Sequence, residues 1–309
     1  MPNRPLVIAH RGASGYLPEH TLLAKALAHV QGADFLEQDV VATRDGELIV
    51  FHDVFLDRVT NVAELYPERS RDDGRHYAID FDWVEIRALT VVAEAPDASP
   101  EHLDSARRVA ATAGRPRICT LGEEIEFIQG LNRTFDRAAG IYPEIKQPRW
   151  HAENGFDLAP AVLRVLSDYG YDRPDGSAFL QCFDAVELSR IGGDLNCRLP
   201  LVQLIGRSVD PAVLTAAGLA AVADYAKVLA PNYRQLLAPR DHEAPVLSAI
   251  GMGARSAGLM LHPYTFNRAD IPAYAAGLEQ LLRIAVDVIA PDAVFCDYPD
   301  LAVQACAGR

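Results

Sequence analysis

Short apolar, β-branched runs alternate with amphipathic helical stretches along nearly the whole chain, and this rhythm most constrains the fold. Residues 6–9, 35–41, 48–51, 141–145, 179–181, 201–205, 228–230, 259–261 and 294–296 have the length and composition of strands. Helical periodicity fills most of the gaps, at 21–31, 158–169, 185–191, 213–226 and 277–289. In the first of these, Ala24, Leu27, Ala28 and Gln31 recur at three- and four-residue spacing. Strand–helix–strand repeats imply right-handed crossovers and a mainly parallel sheet. No GxGxxG opens a helix after the first strand, which weighs against a doubly wound nucleotide-binding sheet and leaves an α/β barrel. Nine strand candidates for eight barrel staves mean that one of them is either accessory or not a strand. Half of the 309 residues are hydrophobic, ample for one large core.

The stretch 54–117 breaks the rhythm. It carries Tyr66, Tyr77, Trp83 and the charged run Arg69-Ser70-Arg71-Asp72-Asp73-Gly74-Arg75. A structureless loop of that length is unusual inside a compact domain. We expect a small inserted subdomain with its own short elements, either decorating the barrel or covering its mouth. The whole chain, 1–309, then reads as a single barrel domain carrying this insertion.

The formal net charge is −13, with 29 Lys and Arg against 42 Asp and Glu. An acidic chain suits neither a nucleic-acid backbone nor an anionic membrane surface. No apolar stretch is long enough to span a bilayer, so no integral membrane association is expected. The sequence opens Met1-Pro2-Asn3-Arg4 and enters an apolar run at once. The expectation is a cytoplasmic protein, or a periplasmic one if a leader has been removed. The five cysteines form no CxxC pair and read as reduced, mostly buried thiols. Nothing in the chain signals an oligomeric state.

Three clusters of chemically active residues stand at the ends of apolar strands. They are Ala9-His10-Arg11-Gly12, then Leu36-Glu37-Gln38-Asp39 with Phe51-His52-Asp53, then Pro143-Glu144-Ile145-Lys146. Side chains alternate along a strand, so Glu37 and Asp39 share a face, as do Glu144 and Lys146. Unpaired charge inside an apolar run is costly, and these carboxylates must meet a cation. Two of them about 5 Å apart repel by roughly 3 kcal/mol at an effective dielectric near 20. A divalent ion relieves this, and oxygen ligands favour Ca²⁺ or Mg²⁺. Taken singly, Glu37 and Asp39 would also suit a solvated strand end, and Glu144 and Lys146 a local salt bridge.

His10 and His52 suit the two proton transfers that phosphodiester cleavage needs, because an imidazole ordinarily titrates near neutral pH. Arg11 can grip phosphate oxygens through its planar fork, and Lys146 adds a point charge. Gln181, Phe183, His262 and Tyr264 are secondary candidates for substrate contact, with barrel-layer packing as the alternative for each. Asp53 either orients His52 or caps the following turn. His29, His76, His102, His151 and His242 read as ordinary core or surface histidines. P-loop, HExxH and GxSxG signatures are absent.

The run Val7-Ile8-Ala9-His10-Arg11-Gly12-Ala13-Ser14-Gly15-Tyr16-Leu17-Pro18-Glu19-His20-Thr21 resembles the opening of bacterial glycerophosphodiester phosphodiesterases. In that family's order follow the segments around Glu37, His52 and Glu144, then Leu180-Gln181-Cys182-Phe183, His262-Pro263-Tyr264-Thr265 and Asp297-Tyr298-Pro299-Asp300. The likeness spans nearly the whole chain and is nearest to the periplasmic-type subgroup, which has a comparable insertion after the His-Asp pair. It implies a TIM (β/α)8 barrel with the site at the C-terminal strand ends. It implies one divalent cation on Glu37, Asp39 and Glu144, His10 and His52 as acid and base, and Arg11 and Lys146 on phosphate. The implied reaction converts a small glycerophosphodiester to sn-glycerol 3-phosphate and an alcohol. The departures are the missing leader and a short segment at 206–211. The rival readings are a related phosphodiesterase acting on lysophospholipids, a metal-dependent lyase or isomerase, and a barrel that binds its ligand without turnover.

Overall fold

A computed structural model describes residues 4–91, 116–206, 209–240 and 243–307. Eight parallel strands form a nearly closed barrel, ordered β10 (Met260–Leu261), β7 (Val228–Pro231), β6 (Leu201–Ile205), β5 (Leu180–Cys182), β4 (Gly140–Ile145), β2 (Phe35–Ala42), β1 (Leu6–Ala9) and β11 (Ala293–Cys296). The seam between β10 and β11 closes through backbone bonds, Asp292 N–H to the Leu261 carbonyl at 3.0 Å and Phe295 N–H to the Pro263 carbonyl at 3.0 Å. The accessory candidate is β3 (Leu48–Val50), which pairs antiparallel with β2 through Val40↔Val50 and Ala42↔Leu48.

Alternation along the strands sorts the core. Phe35 and Tyr142 point into the barrel, where Tyr142 stacks on Phe179 and meets Phe295 edge-on. Leu36, Val40, Ile141 and Ile145 point outward beneath helices Leu121–Phe135 and Leu158–Asp168. The register Phe35↔Gly140 through Val40↔Ile145 aligns β2 with β4, so Asp39 lies opposite Glu144. Helix Leu22–Val30 starts at Thr21, whose hydroxyl accepts the Ala24 N–H at 3.2 Å.

The described part of the inserted stretch holds helices Val62–Leu65 and Trp83–Ile86 and two 3-10 turns, Pro67–Arg69 and Ala78–Asp80. Leu56, Val62, Phe81, Ile86 and Leu89 form a separate apolar cluster against Val41 and Ile49. Residues 92–115 of the stretch, together with 207–208 of the short segment, His102 and His242, lie outside the described residues.

Two expectations are corrected. The helix expected over 213–226 divides into a 3-10 turn, Pro211–Leu214, and helix Ala216–Ala223, because the Thr215 hydroxyl caps the second by accepting the Gly218 N–H at 3.1 Å. An antiparallel pair, β8 (Leu237–Arg240) and β9 (Glu243–Leu247), was not expected, since each strand contains a proline; such residues are tolerated on an isolated two-stranded ribbon. All five cysteines are free thiols, and four of them are buried. Among the described residues, no helix is long and apolar enough to cross a membrane.

Candidate active site

The inward faces of β2 and β4 run from aromatic residues at the barrel centre to charge at the C-terminal mouth. Phe35 gives way to Glu37 and Asp39, and Tyr142 to Glu144 and Lys146. Glu37 and Asp39 are each 1% exposed and Glu144 6%. Lys146 Nζ stands 2.9 Å from Glu144 Oε1 and 3.5 Å from Asp39 Oδ1. Burial, then the neighbouring Asp39, drives the Glu37 carboxyl well above its usual range. Burial also pushes Glu144 up to about 8, with Asp39 adding to the rise and Lys146 opposing it. Burial works against ionisation of Asp39 too, but Lys146, then His52 and His20, outweigh it and hold this carboxyl low. Three buried carboxylates thus cannot all ionise on the protein's own cations.

That electrostatic deficit fits a bound divalent ion. So do two buried acceptor atoms without hydrogen-bond partners beside Glu37 and Asp39, namely His20 Nδ1 and Gln181 Oε1. Ligand-type atoms of His20, Glu37 and Asp39 lie within 4.8 Å of one another. Glu144 stands outside this tightest group, engaged by Lys146. His20 sits in a loop at φ 57° and brings Nε2 to 2.8 Å from Asp39 Oδ2. Sequence reasoning missed it, because a loop residue has no periodicity to mark where its side chain goes. Its only signal was the place of His20 in the Pro18-Glu19-His20-Thr21 motif.

Both mouth histidines are held through Nδ1. His10 follows β1, and its Nδ1 lies 2.7 Å from Asp297 Oδ1, while Ser14 Oγ donates to the same oxygen at 3.2 Å. His52 Nδ1 lies 2.6 Å from Asp53 Oδ1. A carboxylate at Nδ1 takes the imidazole N–H and leaves Nε2 available for proton transfer. Asp53 therefore orients His52. Asp297 plays the same part for His10 and was quoted from the sequence only as part of a motif. Burial lowers the His52 pKa, and Arg11 and Lys146 oppose its charge further, against the pull of Asp39.

Arg11 adopts φ 58°, and its backbone N–H donates to Glu37 Oε2 at 2.6 Å. Its Nη1 donates to Glu19 Oε2 at 2.9 Å, and its Nε lies 3.4 Å from Asp39 Oδ2. Gly12, at φ 88°, lets this turn press on helix Leu22–Val30; a Cβ there would meet the Ala24 carbonyl carbon at 2.8 Å. The secondary candidates divide. Gln181 Nε2 donates to Glu37 Oε1 at 3.3 Å, beneath the carboxylates. Phe183 is 46% exposed beside a cavity of about 540 Å³ that His52, Glu144, Lys146 and Trp150 also line. Tyr264 meets the Phe183 ring edge-on and donates its hydroxyl to the Ile205 carbonyl at 2.7 Å. His262 is buried with Nδ1 2.7 Å from the Tyr142 hydroxyl, a packing environment deeper in the barrel.

Comparison with known proteins gives a family. The model of the glycerophosphoryl diester phosphodiesterase family matches residues 10–301. A glycerophosphodiester phosphodiesterase of Haemophilus influenzae is 37% identical across 100% of this chain and 91% of its own length. One from Treponema pallidum is 32% identical across 97% of this chain and 91% of its own. An Oleispira antarctica phosphodiesterase, solved with the product sn-glycerol-3-phosphate, superposes with a TM-score of 0.65 at 22% identity, covering 98% of this chain and 96% of that one. A glycerophosphodiester phosphodiesterase from Thermotoga maritima shares the barrel at a TM-score of 0.61 and 19% identity, covering 98% and 99%.

Proposed function

Because the chain belongs to the glycerophosphoryl diester phosphodiesterase family, we propose that it hydrolyses glycerophosphodiesters to sn-glycerol 3-phosphate and an alcohol. In this reading Glu37, Asp39 and Glu144 hold one divalent cation, Ca²⁺ or Mg²⁺, and His20 fixes Asp39. When bound, the cation offsets the clustered negative charge and draws electrons from the phosphoryl oxygens. The observation that carries the reading is the arrangement at one barrel mouth. Two histidines, each held by a carboxylate at Nδ1, stand by a buried carboxylate cluster flanked by Arg11 and Lys146.

The chemistry of the chain's own residues follows. Arg11 and Lys146 attract the anionic diester. The Nε2 of one histidine takes the proton of the attacking hydroxyl, either the glycerol 2-hydroxyl or water. The Nε2 of the other, protonated, gives its proton to the head-group oxygen as the P–O bond breaks. Attack by water gives glycerol 3-phosphate at once; attack by the 2-hydroxyl gives a cyclic phosphate, which water, deprotonated by one histidine, opens while the other protonates the released 2-oxygen. Phe183, exposed at the cavity, is placed to pack on the glycerol carbons.

The test is release of glycerol 3-phosphate from glycerophosphocholine and glycerophosphoethanolamine, with EDTA and with Ca²⁺ or Mg²⁺ restored. Release should vanish with EDTA and return with metal. A folded protein that releases nothing with either metal would overturn the substrate class, and release unaffected by EDTA would overturn the role of the cation.

A further inference from the structure

Beside the two histidines runs a chain of alternating charge that joins groups with different tasks. His52 Nδ1 meets Asp53 Oδ1 at 2.6 Å. Arg58 Nε donates to the other oxygen of Asp53, Oδ2, at 2.8 Å. Arg58 Nη2 donates to Glu19 Oε1 at 2.5 Å. Glu19 Oε2 accepts from Arg11 Nη1 at 2.9 Å, and the Arg11 backbone N–H reaches the Glu37 carboxylate at 2.6 Å. One guanidinium therefore spans two carboxylates, one of which holds a proton-transfer histidine and the other the phosphate-facing arginine. A planar fork with five fixed donors can do this, and a lysine ammonium cannot reproduce its geometry.

We infer that Arg58, supplied by the inserted stretch, and Glu19 are positioning residues that lock His52 and Arg11 into a common geometry. The inference rests on the proposed hydrolysis. Arg58 bonds to Asp53 and Glu19, and Glu19 to Arg11, so each acts through its neighbour. Side-chain exposure is 23% for Arg58, 14% for Glu19 and 16% for both Arg11 and Asp53. These bonds are shielded enough to exceed the small worth of exposed pairs. If Arg58 is removed, Asp53 loses the donor on its outer oxygen and becomes free to turn from His52. Glu19 keeps Arg11 as its strong donor and pulls that side chain back from the mouth. The inserted stretch thereby acquires a task at the site.

The experiment measures kcat and KM for glycerol 3-phosphate release by the full, metal-supplied protein. Arg58→Gln should lower kcat/KM by roughly 10- to 100-fold, the usual cost of losing a residue that orients a ligand or catalytic group. Asp53→Asn should do the same. The double variant should be within about threefold of the worse single one, because both break one network; unrelated losses would multiply. Added methylguanidinium should restore part of the Arg58→Gly rate, and Arg58→Lys should remain below half of wild type with an unchanged melting temperature. Arg44→Gln, which breaks a fork to Asp82 elsewhere on the insertion, should leave kcat unaltered. If Arg58→Gln does not fold, Glu19→Gln tests the same link from its other end. An active wild type with losses under threefold at Arg58 and Glu19, or with multiplicative losses in the double variant, overturns the inference. Absence of turnover by the wild type would instead overturn the hydrolysis reading.

Discussion

At the scale of single residues, the two histidines differ in how they are held, and that difference is testable. Asp297 reaches His10 from the end of β11, and Asp53 reaches His52 from the next position in the chain. Replacing either histidine with alanine should lower kcat by roughly 10²–10⁴-fold if each transfers a proton. Asp297→Asn offers Nδ1 an amide donor, which favours the tautomer with the proton on Nε2 and spoils the base. Its kcat should fall by about 10- to 10³-fold. Glycerol 3-phosphate release at wild-type rate by the Asp297→Asn protein would show that the carboxylate does not hold the tautomer. The same contrast explains what could be read from sequence. His10 and His52 follow strands, and Glu37, Asp39 and Glu144 lie within β2 and β4, where alternation makes their faces legible. Asp297 joins His10 only because the first and last strands of the barrel pair, a contact across 287 positions. His20 approaches Asp39 through a left-handed loop residue that no period reports.

At the scale of elements, β2 and β4 were legible because alternation fixes which residues share a face. The adjoining helix was less so. Its apolar spacing runs through Ala24, Leu27 and Ala28 and leaves Lys25 off the apolar set. Yet Lys25 is fully buried, its Nζ 2.8 Å from Glu124 Oε1 of helix Leu121–Phe135 and also bonded to the Glu37 carbonyl. A cation and an anion on two helices thus brace the back of the strand that carries Glu37 and Asp39. Removing one partner leaves an uncompensated buried charge, and Glu124→Ala should destabilise the fold by about 3–5 kcal/mol. The pair Lys25→Met with Glu124→Leu should recover most of that, since an apolar replacement of both removes the desolvation cost. Urea unfolding of the three proteins decides it. A Glu124→Ala midpoint equal to wild type would mean that the pair contributes nothing.

At the scale of the whole molecule, the barrel was legible from nine apolar runs, while its carboxylate cluster makes its stability depend on proton and cation together. Glu144 is pushed up to about 8 and Glu37 is raised well above its range, both chiefly by burial. In the unfolded chain both have ordinary carboxyl values near 4.5. The metal-free fold therefore holds protons that the unfolded chain has already lost, and its stability falls as pH rises toward 8. Groups held low do not mask this. The Asp53 carboxyl, at about 2 through His52 and Arg58 against its burial, contributes stability already complete above pH 4.5. His262 and His20, at about 3 chiefly through burial, contribute stability that is gained as pH rises to their unfolded value of 6.5. His52, His29 and His151, also held low chiefly by burial, add to this gain, which is complete only about a pH unit above 6.5. Between about pH 7.5 and 8 the slope thus belongs chiefly to Glu37 and Glu144. A divalent cation competes with their protons, and its binding strengthens as they leave. The melting temperature of the metal-free protein should fall across this window, and the increment produced by a fixed concentration of Ca²⁺ or Mg²⁺ should grow. Glu144→Gln should flatten both trends. Calorimetry at about pH 7.5, 7.8 and 8 with and without metal checks this, and an increment that stays constant or shrinks would mean that the cation does not sit on these carboxylates.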